Sequence, residues 1–323
     1  LKGRHMNTGE SYHRSTACQT WDAIVVGSGI GGLTCGGELE VLVQRIDPTS
    51  QPHLTTALED VLAGLPVAVA QVVDGPQPLH GRTLAVLGGG SAYDGTLGGR
   101  RTDRAVADQV RALLRTGRTA HVEIGGEADT CPERMTLLVH IQAPRPRMLI
   151  FGAVDFAAAL SRTGRFLGYH VTVCDARPAF ATPERFPHAD EIVVDWPHRY
   201  LERAEVDART AICVLTHDAK FDVPLLRLAL GLPVGYIGAM GSRRTHAHRL
   251  ERLREAGVPA EHLAFLHSPI GLDLGAHTPE ETAISITAEI IAHTNNGTGL
   301  PLSRLPGPIH GFAPVPPVPV PAA

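Results

Sequence analysis

Cysteine is scarce in this chain of 323 residues, and its positive and negative charges nearly balance. The five cysteines are odd in number and widely scattered, and no Cys-x-x-Cys pair occurs. This argues against a disulfide framework or a structural zinc site and favours a reducing compartment, so we expect a cytoplasmic protein. The formal net charge of −4 gives no electrostatic reason to expect nucleic acid or an anionic membrane as a partner.

Long apolar runs are also missing. No segment approaches the length needed to span a bilayer, and the polar N-terminus lacks the apolar stretch of a signal peptide. We therefore expect no association with a membrane. Hydrophobic residues make up 43% of the chain, which is enough for ordinary cores, and the length allows two domains.

The sequence divides into segments of different character. Residues 1–20 show no periodicity; the residues before Met6 resemble an expression-tag remnant, and the rest is expected to be a disordered leader. Residues 21–143 mix strand-like alternation with helical spacing, which predicts an α+β domain. Two prolines mark 144–147 as a linker, and the proline-rich segment 294–323 is expected to be an extended tail.

Residues 148–293 alternate strand-like and helix-like segments, which predicts a Rossmann-like, doubly wound parallel sheet with helices on both faces. The last helix is predicted to open at Thr278, because Pro279 and Glu281 complete a capping-box signature. The fold class is therefore α/β, with a mixed α+β domain followed by the Rossmann-like domain. The predicted strands of that second domain are Met148–Phe151, His170–Cys174, Glu191–Val194, Ala211–Leu215 and Val234–Ile237.

A glycine-rich turn follows an apolar segment near the start of the first domain. Residues 24–32 read IVVGSGIGG, a strand followed by the G-x-G-x-x-G pattern of flavin- and nicotinamide-binding folds. Gly36 and Gly37 would interrupt the helix that this motif requires, and the next predicted strand, Leu39–Ile46, begins too soon for a full crossover. Two interpretations stay open, namely a site for FAD or NAD(P) and a glycine-rich loop between strands.

A second glycine turn carries Gly152, between the first strand and the first helix of the second domain. Asp175 ends the following strand, at the position of a ribose-binding acid. Val154 replaces the glycine that lets the backbone approach a pyrophosphate, and Asp155 puts a negative charge where a phosphate would sit. Both residues are predicted to oppose dinucleotide binding in the standard pose.

Several segments together resemble the XdhC/CoxI family of xanthine dehydrogenase accessory proteins, from about Leu33 to His293. The resemblance implies a chaperone, rather than a turnover enzyme, that binds the molybdenum cofactor as molybdopterin or its dinucleotide form. It further implies sulfuration of the cofactor and its delivery to a molybdenum hydroxylase of the xanthine dehydrogenase or CO dehydrogenase type. The partners to expect are that client and a cysteine desulfurase, with a homodimer as an open possibility. The segments are 32–37 (GLTCGG), 180–186 (FATPERF), 215–220 (LTHDAK), 236–245 (YIGAMGSRRT) and 267–276 (HSPIGLDLGA).

Cys35 is the candidate metal ligand. The adjacent Gly36 and Gly37 would expose it, and neighbouring backbone N–H groups would stabilise a thiolate. A thiolate is a suitable soft ligand for molybdenum or an acceptor for sulfur. The alternative is a small apolar residue in a turn. With the family resemblance, we assign all three residues to the cofactor site.

Ligands of a doubly wound sheet bind at the carboxyl ends of strands, where the strand order reverses. The turns after the first and fourth strands flank that crevice, and here they carry Asp155, His217, Asp218 and Lys220. Carboxylates there suit the amino-pyrimidine edge of a pterin, which offers N–H donors. The alternatives are a metal held by His217 and Asp218, or capping of the next helix, with Lys220 contacting a phosphate or merely solvated.

Gly241, Ser242, Arg243 and Arg244 follow a strand and open a helix. Free backbone N–H groups, a hydroxyl and two guanidinium groups make a candidate anion site. Two arginines are unfavourable at a helix N-terminus unless they have a partner, which favours a functional interpretation. Asp273 lies in another strand-to-helix loop, where a place in the crevice and a turn-stabilising role stay open.

The function that we expect is a molybdenum-cofactor-binding maturation factor. One alternative is a flavin- or NAD(P)-dependent oxidoreductase with a Rossmann domain. The other is a structural adaptor that binds no cofactor. Identification of a small molecule that copurifies with the protein would separate the three.

Overall fold

The computed structural model describes residues 23–27, 41–45, 49–87, 92–117, 119–124, 134–216 and 218–306. Contacts divide the chain into two compact units, the first ending at Pro144 and the second beginning at Arg145. Within the described ranges, no helix combines the length and the apolar character needed to cross a membrane.

The first two strands, β1 (Ala23–Gly27) and β2 (Val41–Arg45), form a separate antiparallel sheet. Gly27 lies opposite Val41 in this ladder. A mononucleotide-binding crossover would place its two strands parallel, because the helix between them returns the chain to the same end of the sheet. The antiparallel ladder therefore favours the glycine-rich loop over the FAD or NAD(P) site, although the loop itself lies outside the described residues.

The first unit has a five-stranded antiparallel sheet with the order β5-β4-β3-β7-β6. Alternate residues of β3 face opposite sides: Ala70 packs in the core under helix α2, whereas Val67 packs with Ala57 of helix α1. Helix α2 ends at Gly117, whose φ of +68° is left-handed, as a glycine cap requires. The elements are α1 (Pro52–Leu62), β3 (Val67–Asp74), β4 (Thr83–Val86), β5 (Tyr93–Gly95), α2 (Arg100–Thr116), β6 (Ala120–Ile124) and β7 (Met135–Gln142).

The second unit has a six-stranded, all-parallel sheet with the order β10-β9-β8-β11-β12-β13. Counted from its own first strand, this is the 3-2-1-4-5-6 order of dinucleotide-binding folds, so the predicted Rossmann-like sheet is confirmed. The strands are β8 (Arg147–Phe151), β9 (His170–Asp175), β10 (Glu191–Val194), β11 (Ala211–Val214), β12 (Tyr236–Ala239) and β13 (Leu266–His267).

Helices cover both faces of this sheet. On one face, Met148 and Ile150 pack with α3 and α8; on the other, Leu149 and Phe151 pack with α4, α5 and α6. Burial on both faces explains why the strands are continuous apolar runs rather than alternating ones. The helices are α3 (Asp155–Phe166), α4 (Pro197–Arg203), α5 (Ala219–Ala229), α6 (Arg243–Glu255), α7 (Ala260–Leu263) and α8 (Pro279–Thr294).

The predicted start of the last helix is also confirmed. The hydroxyl of Thr278 accepts a hydrogen bond from the Glu281 N–H, and the Glu281 carboxylate accepts one from the Thr278 N–H. The fifth predicted strand, Val234–Ile237, begins two residues before the observed strand β12, and the sequence pattern does not predict the short strand β13.

Candidate functional site

The turns after β8 and β11 come together where the strand order of the sheet reverses. Gly152 has a φ of +110°, and a Cβ there would lie 2.9 Å from the Thr216 Cγ2 and 3.0 Å from its backbone nitrogen. Only glycine fits this position, because both its backbone conformation and its neighbour exclude a side chain. The turns after the first and fourth strands therefore lie against each other, as expected, and a ligand crevice between them stays a prediction.

The backbone N–H groups of the Gly152 turn are already bonded within the protein. The Gly152 N–H donates to the Cys174 carbonyl at 2.9 Å, and the Ala153 N–H donates to Asp175 Oδ2 at 2.7 Å. The Val154 N–H donates back to the Gly152 carbonyl at 3.1 Å. In dinucleotide-binding folds this turn offers its N–H groups to the pyrophosphate. Here the N–H groups of Gly152, Ala153 and Val154 are not free to bind a pyrophosphate.

Asp175 joins the ends of β8 and β9. Its Oδ1 accepts bonds from the Arg177 backbone N–H and Nε at 2.9 Å each, and its Oδ2 accepts one from Arg177 Nη2 at 2.8 Å. Burial raises the pKa of this carboxyl, but the bonds from Arg177 and Ala153 outweigh burial and hold the pKa below its ordinary value. Both oxygens thus serve the protein's own turns, in the position where a dinucleotide fold holds a ribose.

Asp155 is exposed at the first position of α3, and its charge is offset by a neighbour. Arg185 Nη2 donates to its Oδ1 at 3.1 Å, and Arg185 Nη1 donates to the Ala153 carbonyl at 3.3 Å. Arg177 and Arg185 also lie over the Phe180 ring, at 4.3 and 5.5 Å from its centroid. This corner of the crevice therefore presents two guanidinium groups and an aromatic ring beside one exposed carboxylate.

Asp218 caps α5, so the capping alternative holds for this residue. Its carboxylate accepts a bond from the Lys220 N–H at 3.0 Å and lies 3.2 Å from the Lys220 ammonium. The backbone bond from Lys220, helped by the charges of Lys220 and Arg177, lowers the pKa of Asp218. Since Arg177 follows β9, its charge lies near enough to act on the turn after β11. His217 lies outside the described residues.

A buried ion pair beneath these turns was not predicted from the sequence. Arg249 Nη2 donates to Asp222 Oδ2 at 2.9 Å and to the Met240 carbonyl at 2.8 Å, and Arg249 Nη1 donates to the Ser268 hydroxyl at 3.0 Å. The Thr216 hydroxyl donates to the other oxygen of Asp222. This network links the carboxyl ends of β11, β12 and β13. Arg249 belongs to a helix rich in exposed arginines, so no sequence signal separated it from them.

The start of α6 retains part of the expected anion site. Gly241 has a φ of +149°, and Ser242 caps the helix by accepting a bond from the Thr245 N–H at 3.1 Å. That N–H group is therefore used. The side chains of Arg243 and Arg244 are exposed, and in the described part of the chain neither has an acidic partner within ion-pair distance. Their own N–H groups lie in the first turn, where no intrahelical acceptor exists.

Of the remaining predicted residues, the structure describes Asp273 but not the other three. Asp273 is exposed in the loop between β13 and α8, and no ion pair with a described residue holds its carboxylate. Cys35, Gly36 and Gly37 lie outside the described residues. Among the residues that are described, no group of three or more His, Cys, Asp or Glu side chains could hold a metal ion.

The two described cysteines do not behave as ligands. Burial raises the pKa of Cys174 to about 12 and raises that of Cys213 as well. Both thiols therefore stay protonated at neutral pH, whereas a soft metal requires a thiolate.

Two family descriptions match successive parts of the chain. The XdhC and CoxI family matches residues 61–125, and the XdhC Rossmann domain matches residues 148–290. A solved structure described as a xanthine dehydrogenase from Bacillus halodurans is 26% identical, with a TM-score of 0.57. The alignment covers 85% of this chain and 75% of that one.

Three curated proteins are similar in sequence. An uncharacterized Escherichia coli protein, YqeB, is 32% identical over 72% of this chain and 44% of its own length. A probable xanthine dehydrogenase component of Bacillus subtilis is 35% identical over 46% of this chain and 43% of its own length. The Escherichia coli molybdenum cofactor insertion chaperone PaoD is 29% identical over 50% of this chain and 45% of its own length. The chain thus spans less than half the length of these relatives.

The two family matches fall in chain order on the two units described above, and the second covers nearly the whole parallel sheet with its helices. The chain therefore belongs to the XdhC and CoxI family, and its second unit is the Rossmann domain of that family.

Proposed function

We propose that this chain is an accessory protein for a molybdenum hydroxylase and that it binds the molybdenum cofactor at the carboxyl edge of its parallel sheet. The observation that carries the proposal is membership of the XdhC and CoxI family together with similarity to a molybdenum cofactor insertion chaperone. The client hydroxylase and a cysteine desulfurase are the partners that this role requires.

The groups in the crevice suit a pterin that carries a phosphate. A pterin ring is planar and has N–H donors along one edge. The exposed carboxylates of Asp155 and Asp218 can accept hydrogen bonds from these donors. The Phe180 ring, with Arg177 and Arg185 over it, suits contact with a flat heterocycle. The phosphate needs cationic or N–H donors, and the first turn of α6 carries both.

The bound cofactor supplies a molybdenum centre; this chain's residues hold and orient it. Cys35 is proposed as the thiolate that contacts the metal or accepts sulfur, because the adjacent glycines would expose it and backbone N–H groups would stabilise its negative charge. We do not propose the oxidoreductase alternative, because β1 and β2 pair antiparallel and the Gly152 turn has its N–H groups bonded internally.

The proposal is tested by producing the full chain in a host that makes the cofactor. Molybdenum is measured by mass spectrometry of the metal, and the pterin by the fluorescence of its oxidised form. We expect both in a constant ratio to protein. Protein that carries neither, when isolated without chelators, would contradict the proposal.

The role of Cys35 is tested by Cys35→Ser, which removes the thiolate and keeps the size of the side chain. We expect the variant to lose most of its molybdenum while its melting temperature stays that of the native chain. Cys131→Ser is the matched control, since it makes the same change outside the segments of the resemblance, and it should retain the metal. Equal molybdenum in both variants would exclude Cys35 from the site.

A further inference from the structure

A pocket of about 290 Å³ lies between α5 and α6. One face of α6 supplies most of its wall, and the first turns of α5 supply the rest. Its polar lining residues are Asp222, Arg244, Thr245, His248, Arg249 and Arg252.

The lining carries an excess of positive charge. The single carboxylate, Asp222, is already bonded to Arg249. Arg244 and Arg252 are exposed, and no acidic side chain in the described part of the chain pairs with either. The two arginines lie about two turns apart on α6, and both line the same pocket. An anion in the pocket would compensate this charge.

Arg249 forms a fixed wall of the pocket. Its side chain is 3% exposed and is held by Asp222, the Met240 carbonyl and the Ser268 hydroxyl. These three bonds use three of the five N–H groups of a guanidinium, so two remain for a ligand. A guanidinium that is already positioned loses little freedom when it binds a phosphate oxygen.

We propose that this pocket binds a phosphate or pyrophosphate group through Arg244, Arg249 and Arg252. Its volume lies at the lower end of small-molecule sites, which favours a compact anion over a protein segment. Arginine forks match the oxygens of a phosphate, and the charge of a phosphate dianion matches the two unpaired arginines. The anion site stands on the pocket itself, whereas its assignment to the phosphate of a bound cofactor rests on the proposed function.

The structure provides a matched set of variants for the test. Arg244→Gln and Arg252→Gln each remove one positive charge from the pocket. Arg227→Gln and Arg254→Gln remove the same charge from the two helices that border the pocket, but these two exposed side chains do not line it. All four positions are at the surface, so we expect the four variants to keep the native melting temperature.

The full chain and the four variants are titrated by calorimetry with pyrophosphate and, separately, with inorganic phosphate, at low salt. We expect saturable binding that weakens about tenfold or more in each lining variant and changes little in the two controls. Equal weakening in all four variants would show only a general electrostatic effect of the arginines and would overturn the site. The absence of saturable binding would overturn it as well.

Cofactor content, measured on the same proteins, separates this inference from the proposed function. If pyrophosphate binding follows the expected pattern but the native chain carries no pterin, the pocket stands and the proposed function fails. If the native chain carries the cofactor but all variants bind pyrophosphate alike, the pocket fails and the proposed function stands.

Discussion

A buried charge depends on its partner, and this governs the behaviour of Asp222 and Arg249. Their side chains are 6% and 3% exposed. Removal of one leaves the other desolvated and unpaired, which costs far more than loss of an exposed pair. Because the same arginine bonds to Met240 and Ser268, the pair also fixes the loops that follow β12 and β13.

We expect Asp222→Ala to lower the free energy of unfolding by about 3–5 kcal/mol, since it leaves the Arg249 charge buried without a carboxylate. The double variant Asp222→Leu with Arg249→Met should regain part of that loss, because it replaces the pair with apolar groups. Denaturant unfolding of the three proteins measures both effects.

The control for this experiment is Arg134→Ala. Arg134 pairs with Glu123 at 3.9 Å, and both side chains are mostly exposed, so its loss should cost at most about 1 kcal/mol. A similar loss of stability in Arg134→Ala and Asp222→Ala would show that burial of the Asp222 pair carries no special weight.

The strand-to-helix turn after β8 lies where dinucleotide-binding folds have their phosphate-binding turn, but its N–H groups are hydrogen-bonded within the protein. Gly152 keeps the left-handed conformation that the turn requires. The Asp175 carboxylate accepts a hydrogen bond from the Ala153 N–H, and Arg185 donates one to the Asp155 carboxylate. The turn is thus stabilised by the protein's own acceptors and cations rather than by a pyrophosphate.

We expect NAD and NADP to bind this chain more weakly than the micromolar range. The variant Val154→Gly restores the missing glycine, but it should not restore affinity, because the Ala153 N–H stays bonded to Asp175. Titration calorimetry of both proteins, with an NAD-dependent dehydrogenase as the positive control, measures this. Micromolar affinity in the native chain would contradict the interpretation of the turn.

At the scale of the whole molecule, several partly buried carboxylates connect separate elements of the second unit. Glu289 of α8 accepts bonds from the Tyr236 hydroxyl at 2.5 Å and the Gly271 N–H at 2.6 Å, and it pairs with His267 at 3.1 Å. Burial raises the pKa of Glu289, but these bonds outweigh burial and hold the pKa below its ordinary value. The pKa values of Asp190 and Asp207 are lowered in the same way.

These directions fix the sign of the dependence of stability on pH. A carboxyl whose folded pKa is lowered stabilises the folded state fully above its unfolded pKa of about 4, and this stability is lost as the pH falls through the folded pKa. We therefore expect the free energy of unfolding to fall steeply below about pH 4. Glu289→Gln should lower stability at neutral pH and reduce that slope.

Denaturant unfolding at a series of pH values measures the effect of Glu289→Gln. Glu251→Gln, a change at an exposed glutamate of α6, is the matched control and should leave the curve unchanged. An acid slope that is the same in Glu289→Gln and in the native chain would show that Glu289 does not contribute to it.

The sequence by itself determined five of the six strands of the second unit, their parallel arrangement and the start of its last helix. Buried strands are continuous apolar runs, and strands that alternate with helices indicate a parallel sheet. Thr278 and Glu281 bond to each other within one helical turn. These features are local or periodic, so a single chain shows them. The same topological rule predicts, from chain position alone, that Asp155 and Asp218 follow the carboxyl ends of neighbouring strands, where the structure has them.

The tertiary structure alone decided which polar groups are bonded within the protein and which are free to bind a ligand. The sequence shows Arg243, Arg244, Arg249 and Arg252 as similar residues of one polar helix, and only packing buries Arg249 against Asp222 and brings Arg244 to the pocket. Likewise, only the ladder between β1 and β2 distinguishes a loop from a nucleotide-binding crossover. A contact between residues distant in sequence does not alter the hydrophobic periodicity around either residue. The sequence alone therefore does not reveal such a contact.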